Sequence, residues 1–324
     1  QYFSFLSLLL PLSSFLSSFL SHPAKYSTPP LNFDLNSTST TMLHIETNNL
    51  LIHTTLTERI NAAASERKLL DRIVTDFDFT LYHLSTLGDS KNLLLISVYL
   101  KCWDDLARYG VEQYLRSKYD QFSEVLTVLT GSDIELSYNY SFVLDTDKLD
   151  TKDQEYKTTI VDAHLFLKRN CMATAFEQAF ARYDQLAAEH ADLNTYSEEV
   201  QESLMKEDVL VLRYRENDES IFIKPLFDRV TVVFSTIFQD ETDKIFGKVF
   251  LQEFVDARKR LVQTAPQVLY LHGEAPLDIQ SVVRPGQSSD KIGYVTFVLF
   301  PRHLVKGDRR ENCITHVQYF RNYF

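Results

Sequence analysis

The chain is poor in glycine, proline and cysteine, with 8, 9 and 3 of them in 324 residues. So little glycine and proline excludes collagen-like and low-complexity classes. Three cysteines (Cys102, Cys171, Cys313) cannot staple so long a chain, and their apolar or helical settings suit a reducing compartment. Positive charge is also in deficit, at 33 Lys and Arg against 44 Asp and Glu, a net charge of −11. That weighs against a non-specific binder of nucleic-acid phosphates. No G-x-x-x-x-G-K-[ST] or G-x-G-x-x-G occurs, so no glycine-rich phosphate cradle is spelled out. No C-x-x-C occurs, and the histidines lack metal-ligand spacing, so no metal site is expected. What is present is apolar: 44% hydrophobic and 13% aromatic residues, with 24% charged. Such a chain has the apolar area to fold, and its length suggests two domains of about 150 residues each.

Residues 1–41 differ from the rest, with one cation, Lys25, and one anion, Asp34. Their run FSFLSLLLPLSSFLSSFL has the hydrophobicity of a signal-peptide core. It lacks an initiator Met and a basic flank, and it contains Pro11. Seven of its eighteen residues are Ser or Pro, too many for a membrane span. The expectation is a non-native or disordered leader, with the true start at Met42 and the whole negative charge in 42–324.

The remainder reads as α+β, in two halves with a similar order of elements. In the first, 42–200, DRIVTDFDFTLYHLS and LLLISVYLKC alternate as half-buried strands. A helix is expected at about 104–118, then a strand at 134–144. A long helix over 154–190 follows, its buried stripe marked by Leu165, Met172, Phe176, Phe180 and Tyr183. An acidic segment closes this half. The second, 207–303, opens with DVLVLRYR and SIFIK, then RVTVVFSTIF, the strongest strand signal in the chain. Asp240 is expected to cap the next helix, which carries Phe246, Phe250 and Phe254 at four-residue spacing and ends in Arg258-Lys259-Arg260. QVLYL and YVTFVLF complete a second sheet, so both sheets are expected to be mainly antiparallel with flanking helices. Residues 304–324 begin a C-terminal helix. Ile314, Val317, Phe320 and Phe324 share one of its faces and are the partner-interface candidates. Its pattern runs to the last residue, which predicts a longer element.

One motif carries a catalytic alternative. Asp76-Phe-Asp78-Phe-Thr80 spells the D-x-D-x-T signature of haloacid-dehalogenase-type phosphohydrolases, with Asp76 as nucleophile and Asp78 as general acid and base. In a strand the same spelling is an acidic exposed edge with Phe77 and Phe79 buried opposite. The structural reading is preferred, because Phe79 would crowd a phosphate and no metal-binding acidic pair follows. Asp104-Asp105 reads as a helix cap. No catalytic, cofactor-binding or metal residue is therefore assigned. Cys171 and Ser235 lack an identifiable base.

FDRVTVVFSTIFQDETDKIFGKVFLQEF (227–254), TAPQVL (264–269) and GYVTFVLFPRH (293–303) closely resemble the 34 kDa subunit family of the actin-related protein 2/3 complex. MLHIETNN (42–49), DFDFTLYH (76–83) and LKRNC (167–171) agree with it, so the resemblance covers 42–324. It implies two similar α/β domains and a long C-terminal helix in a non-enzymatic scaffold without a cofactor. It implies pairing with the 20 kDa-type subunit and contact with the side of a mother actin filament, in the cytoplasm at the actin cytoskeleton. No nucleic-acid partner or membrane span is expected. The family continues beyond FRNYF with a helix and a basic tail. Arg302, Lys306, Arg309, Arg310 and Arg321, against Asp308 and Glu311, make 301–324 locally basic. They are the candidates to face acidic actin.

Overall fold

The computed structural model describes residues 49–190, 206–215, 218–238, 240–260, 265–283 and 291–321. The leader expected over 1–41 and most of the acidic segment that closes the first half thus lie outside the described residues. Two compact units are drawn from it, one from Glu46–Gln178 with Val211–Ile221, the other from Ala179–Leu210 with Phe222–Phe324.

The first sheet contains β1 (Asp71–Asp76), β2 (Thr80–Thr86), β3 (Leu93–Tyr99), β4 (Leu126–Val128) and β5 (Tyr140–Asp145), in the order β1-β2-β3-β5-β4. Its four ladders are all antiparallel. Helix α1 (Leu50–Asn61) precedes it, and Asn49 caps that helix by accepting from the amides of Leu51 and Ile52. Helices α2 (Trp103–Arg108) and α3 (Val111–Tyr119) lie between β3 and β4. After β5 come α4 (Thr146–Asp150), α5 (Gln154–Leu165) and α6 (Leu167–Glu189). Ser97 and Ser141 face each other across β3 and β5, fully buried, and their hydroxyls bond at 2.8 Å. Paired in this way, two polar groups sit in an apolar sheet without the cost of an unmade hydrogen bond.

The second sheet contains β6 (Leu210–Leu212), β7 (Ile221–Pro225), β8 (Val230–Ile237), β9 (Gln267–His272) and β10 (Ile292–Leu299). Its order, β6-β7-β8-β10-β9, repeats that of the first sheet position for position. The ladders β8–β10 and β10–β9 are antiparallel. Helix α7 (Glu241–Arg260) joins β8 to β9, and α8 (Asp308–Arg321) follows β10. The ring of Phe238 sets how closely α7 and β10 come together. A Cβ on Gly293 would stand 2.4 Å from Phe238 Cε2, and one on Gly247 would stand 2.8 Å from Cε1. Two of the eight glycines are thus explained by close packing rather than by turns.

The expected α+β class, with two antiparallel sheets and flanking helices, is what the structure contains. Several local readings need correction. DRIVTDFDFTLYHLS is a hairpin, not one strand: Asp76 pairs with Thr80, and Asp78 and Phe79 turn the chain at φ +62° and +55°. Phe77 and Phe79 are therefore 45% and 58% exposed, while the Asp78 side chain is only 7% exposed, the reverse of the strand reading. The helix expected at 104–118 breaks at Gly110, where φ is +81°. The one expected at 154–190 breaks at Phe166. The strand expected at 134–144 begins only at Tyr140, because 134–139 forms a turn with Ser137 at φ +74°. Helix α7 starts one residue after Asp240, but the side chains of Phe246, Phe250, Phe254, Arg258, Lys259 and Arg260 lie outside the described residues.

Candidate functional site

Two regions hold the residues singled out by sequence. The first is the turn between β1 and β2. Its left-handed residues swing Asp78 inward, where Arg215 Nε donates to one carboxylate oxygen at 2.9 Å and Lys168 Nζ lies 3.3 Å from the other. Lys168 Nζ also donates to the Phe77 carbonyl at 2.7 Å and stands 3.8 Å from Asp76. Both Asp78 oxygens thus anchor cations brought from α6 and from the segment after β6. The two carboxylates of the D-x-D-x-T spelling fasten a turn to its neighbours.

Asp104 and Asp105 do not cap α2, since Cys102 holds the cap position without a side-chain bond. Asp104 is exposed. Asp105 is buried and accepts from the Arg213 backbone amide at 2.8 Å, from the Arg213 guanidinium at 2.8 Å and from Arg108. The cysteines are inert. Burial pushes the Cys102 and Cys313 thiols up to about 12 and Cys171 higher still, so none offers a thiolate near neutrality.

The second region is α8 and the turn before it. Ile314 and Val317 are fully buried and Phe320 nearly so, within this chain. The Phe320 ring meets Phe297 of β10 edge-to-face at a centroid distance of 4.6 Å. Phe324 lies outside the described residues. Of the five basic candidates, Arg302, Lys306 and Arg309 are exposed. Arg302 lies over the Phe300 ring at 5.1 Å, and Lys306 stands 3.4 Å from Asp184. Arg310 is buried: it donates to Asp184 at 2.9 and 3.3 Å and to the Leu304 carbonyl at 2.7 and 3.0 Å, over the ring of Phe180. Arg321 is only 3% exposed.

Sequence reading missed Arg67, Lys168, Arg213 and Arg215. Arg67, with a side chain 0% exposed, reaches Asp147 at 2.8 Å and Asp150 at 2.6 Å. No local signal could have found these pairs. Asp78 and Arg215 are 137 residues apart, and Arg67 and Asp150 are 83 apart. Among the described residues no group of three His, Cys, Asp or Glu side chains could hold a metal ion, and no helix is long and apolar enough to cross a membrane.

Comparison with known proteins supplies what the geometry does not. The family model described as Arp2/3 complex, 34 kD subunit p34-Arc matches residues 96–324. Actin-related protein 2/3 complex subunit 2 of Schizosaccharomyces pombe is 41% identical over 286 residues, 87% of this chain and 84% of that protein. The protein of the same name from Dictyostelium discoideum is 29% identical over 284 residues, 87% of this chain and 83% of that protein.

Proposed function

Since this chain belongs to the family of the 34 kD subunit of the Arp2/3 complex, we propose that it is a non-enzymatic, actin-filament-binding scaffold subunit of that assembly. It pairs with the 20 kDa-type subunit and bears on the side of a mother filament, supporting nucleation of the branch. Its place is then the cytoplasmic actin cytoskeleton. The observation that carries this reading is the 41% identity sustained over 87% of the chain, because it spans both sheets rather than one motif. The exposed Arg302, Lys306 and Arg309 are the cations available to an acidic filament surface. Arg310, bonded to Asp184 and the Leu304 carbonyl, holds the fold instead, and Arg321 is buried. Ile314, Val317 and Phe320 act on assembly by keeping α8 on its sheet.

The test is co-expression with the 20 kDa-type subunit, read by size-exclusion chromatography and then by co-sedimentation with actin filaments. A shared one-to-one peak that sediments with filaments is expected. Replacing Arg302, Lys306 and Arg309 together by Glu should leave the shared peak intact and weaken sedimentation in a salt-sensitive way. Separate peaks from two folded proteins would overturn the proposal.

A further inference from the structure

A pocket of about 530 Å³ in the first unit is lined by Lys101, Cys102, Asp104, Asp105, Arg108, Arg213 and Arg215. Four cations and two carboxylates face it, on a protein whose net charge is −11. The carboxylates do not cancel the cations where it matters. Asp105 is buried and takes one N–H from Arg108 and one from the Arg213 side chain. A guanidinium carries five N–H donors, so each arginine keeps several for another acceptor. Their heads stay accessible: the Arg108 side chain is 64% exposed and that of Arg213 47%. Arg215 is fixed from behind by Asp78 at 2.9 Å and Glu219 at 3.6 Å, which leaves Lys101, Arg108 and Arg213 to carry the attraction, and Lys101 lies over the Phe79 ring at 5.5 Å. The guanidiniums are therefore held in place before any ligand arrives, which lowers the ordering cost of binding.

The lining also restricts what could bind. Among the described residues it contains no aromatic side chain, so a nucleotide base has nothing there to stack on. Its wall is more polar than apolar, and its volume exceeds that of a single phosphate while matching small-molecule sites of about 300–1,000 Å³. Planar guanidiniums suit bidentate contact with phosphate oxygens. We propose that this pocket binds a compact non-aromatic polyphosphate of the inositol-phosphate class, either free or as a lipid headgroup.

The experiment titrates inositol hexakisphosphate into the full chain by calorimetry at physiological salt. One saturable site is expected. The Lys101→Ala/Arg108→Ala double variant, both positions being exposed, should weaken binding at least tenfold. Asp104→Asn, which removes an exposed carboxylate from the lining, should tighten it a few-fold. Arg116→Ala, on exposed α3 surface outside the pocket, should leave it unchanged. Thermal melts of each variant separate lost binding from lost fold. Vesicles carrying phosphatidylinositol bisphosphate, set against phosphatidylserine vesicles of matched charge, distinguish the sources. Capture by the former alone, competed by the free inositol phosphate, assigns a headgroup; binding of the free compound without vesicle capture assigns a soluble ligand. Absence of saturable binding overturns the proposal. So does equal weakening by Arg116→Ala and the double variant, or an Asp104→Asn variant that binds no tighter.

Discussion

After the last strand of each sheet, a buried arginine fastens the helix that follows. In the first sheet it is Arg67, whose guanidinium reaches Asp147 and Asp150 around the short α4. In the second it is Arg310, on α8 itself, which reaches Asp184 and the Leu304 carbonyl. The strand orders are the same, and the fastening problem is the same. The difference is redundancy, since among the described residues Arg67 holds two carboxylates and Arg310 one. A buried guanidinium that loses its only acid remains charged in a poorly solvated place, whereas one of two acids can be lost with the charge still compensated.

The largest expected effects come from the aromatic residues beside these fastenings. Phe142 of β5 is ringed by Tyr119, Tyr140 and His164 at centroid distances of 4.8, 5.0 and 5.5 Å. Phe320 of α8 has Phe297 at 4.6 Å. Truncating a buried Phe to Ala costs about 3–5 kcal/mol. Phe142→Ala should fall near the top of that range, because its neighbours close around it from three sides. Phe320→Ala, which removes a ring 2% exposed against Phe297, should fall in the same range. Urea unfolding checks both. Trp103, the single tryptophan, lies in the first unit, so its fluorescence follows that unit alone while circular dichroism follows both. Phe142→Ala should shift the fluorescence midpoint; Phe320→Ala should shift only the dichroism.

The fastenings should separate next. Asp184→Ala should destabilise the second unit by about 2 kcal/mol, below the usual cost of breaking a buried pair because Asp184 is itself partly exposed. Asp147→Ala and Asp150→Ala should each cost about 1 kcal/mol or less, and the double variant more than their sum. Denaturation midpoints decide it. Additive behaviour of the two first-unit acids would remove the claim of redundancy.

How far the sequence reveals these features differs between the sheets. Strands β8 and β10 are apolar runs buried on both faces, and their extent was legible. The β1–β2 hairpin was not, because Asp76-Phe77-Asp78-Phe79 keeps the alternation of a strand straight through its turn. The positive φ falls on Asp78 and Phe79 rather than on a glycine, so no turn residue announces it. The stripe of α8 was legible as apolar, but its partner was not: periodicity says that a face is buried, not what buries it. The basic residues of 301–324 looked alike in the sequence. Only the fold separates Arg310 and Arg321, which are buried, from Arg302, Lys306 and Arg309. The arginine–carboxylate pairs join residues too distant along the chain for any local pattern to link them.

The smallest effect in view is a difference in pH response. Each unit contains a histidine whose burial keeps it neutral, His164 in the first and His316 in the second, both with pKa lowered to about 4. The stability such a group brings is complete above the unfolded value of about 6.5 and is lost as pH falls towards 4, at up to about 1.4 kcal/mol per pH unit for one proton. The first unit alone adds His83, held between Asp71 at 2.8 Å and Glu135 at 2.5 Å and stacked on Tyr138. Partial burial pulls its pKa down, but the bonds to Asp71 and Glu135 outweigh it and the net shift is upward. Its contribution has the opposite sign: present below about pH 6.5, it is lost as pH rises through the raised folded value. The first unit should therefore lose a little stability as pH rises above about 6.5 through the raised value of His83, where the second does not. His83→Gln should remove that loss, steepening the relative fall in acid, and leave the second unit's profile untouched. Midpoints followed by tryptophan fluorescence between pH 5 and 8 test this. An unchanged first-unit profile in His83→Gln would mean that the two carboxylates hold the ring without preferring its charged form.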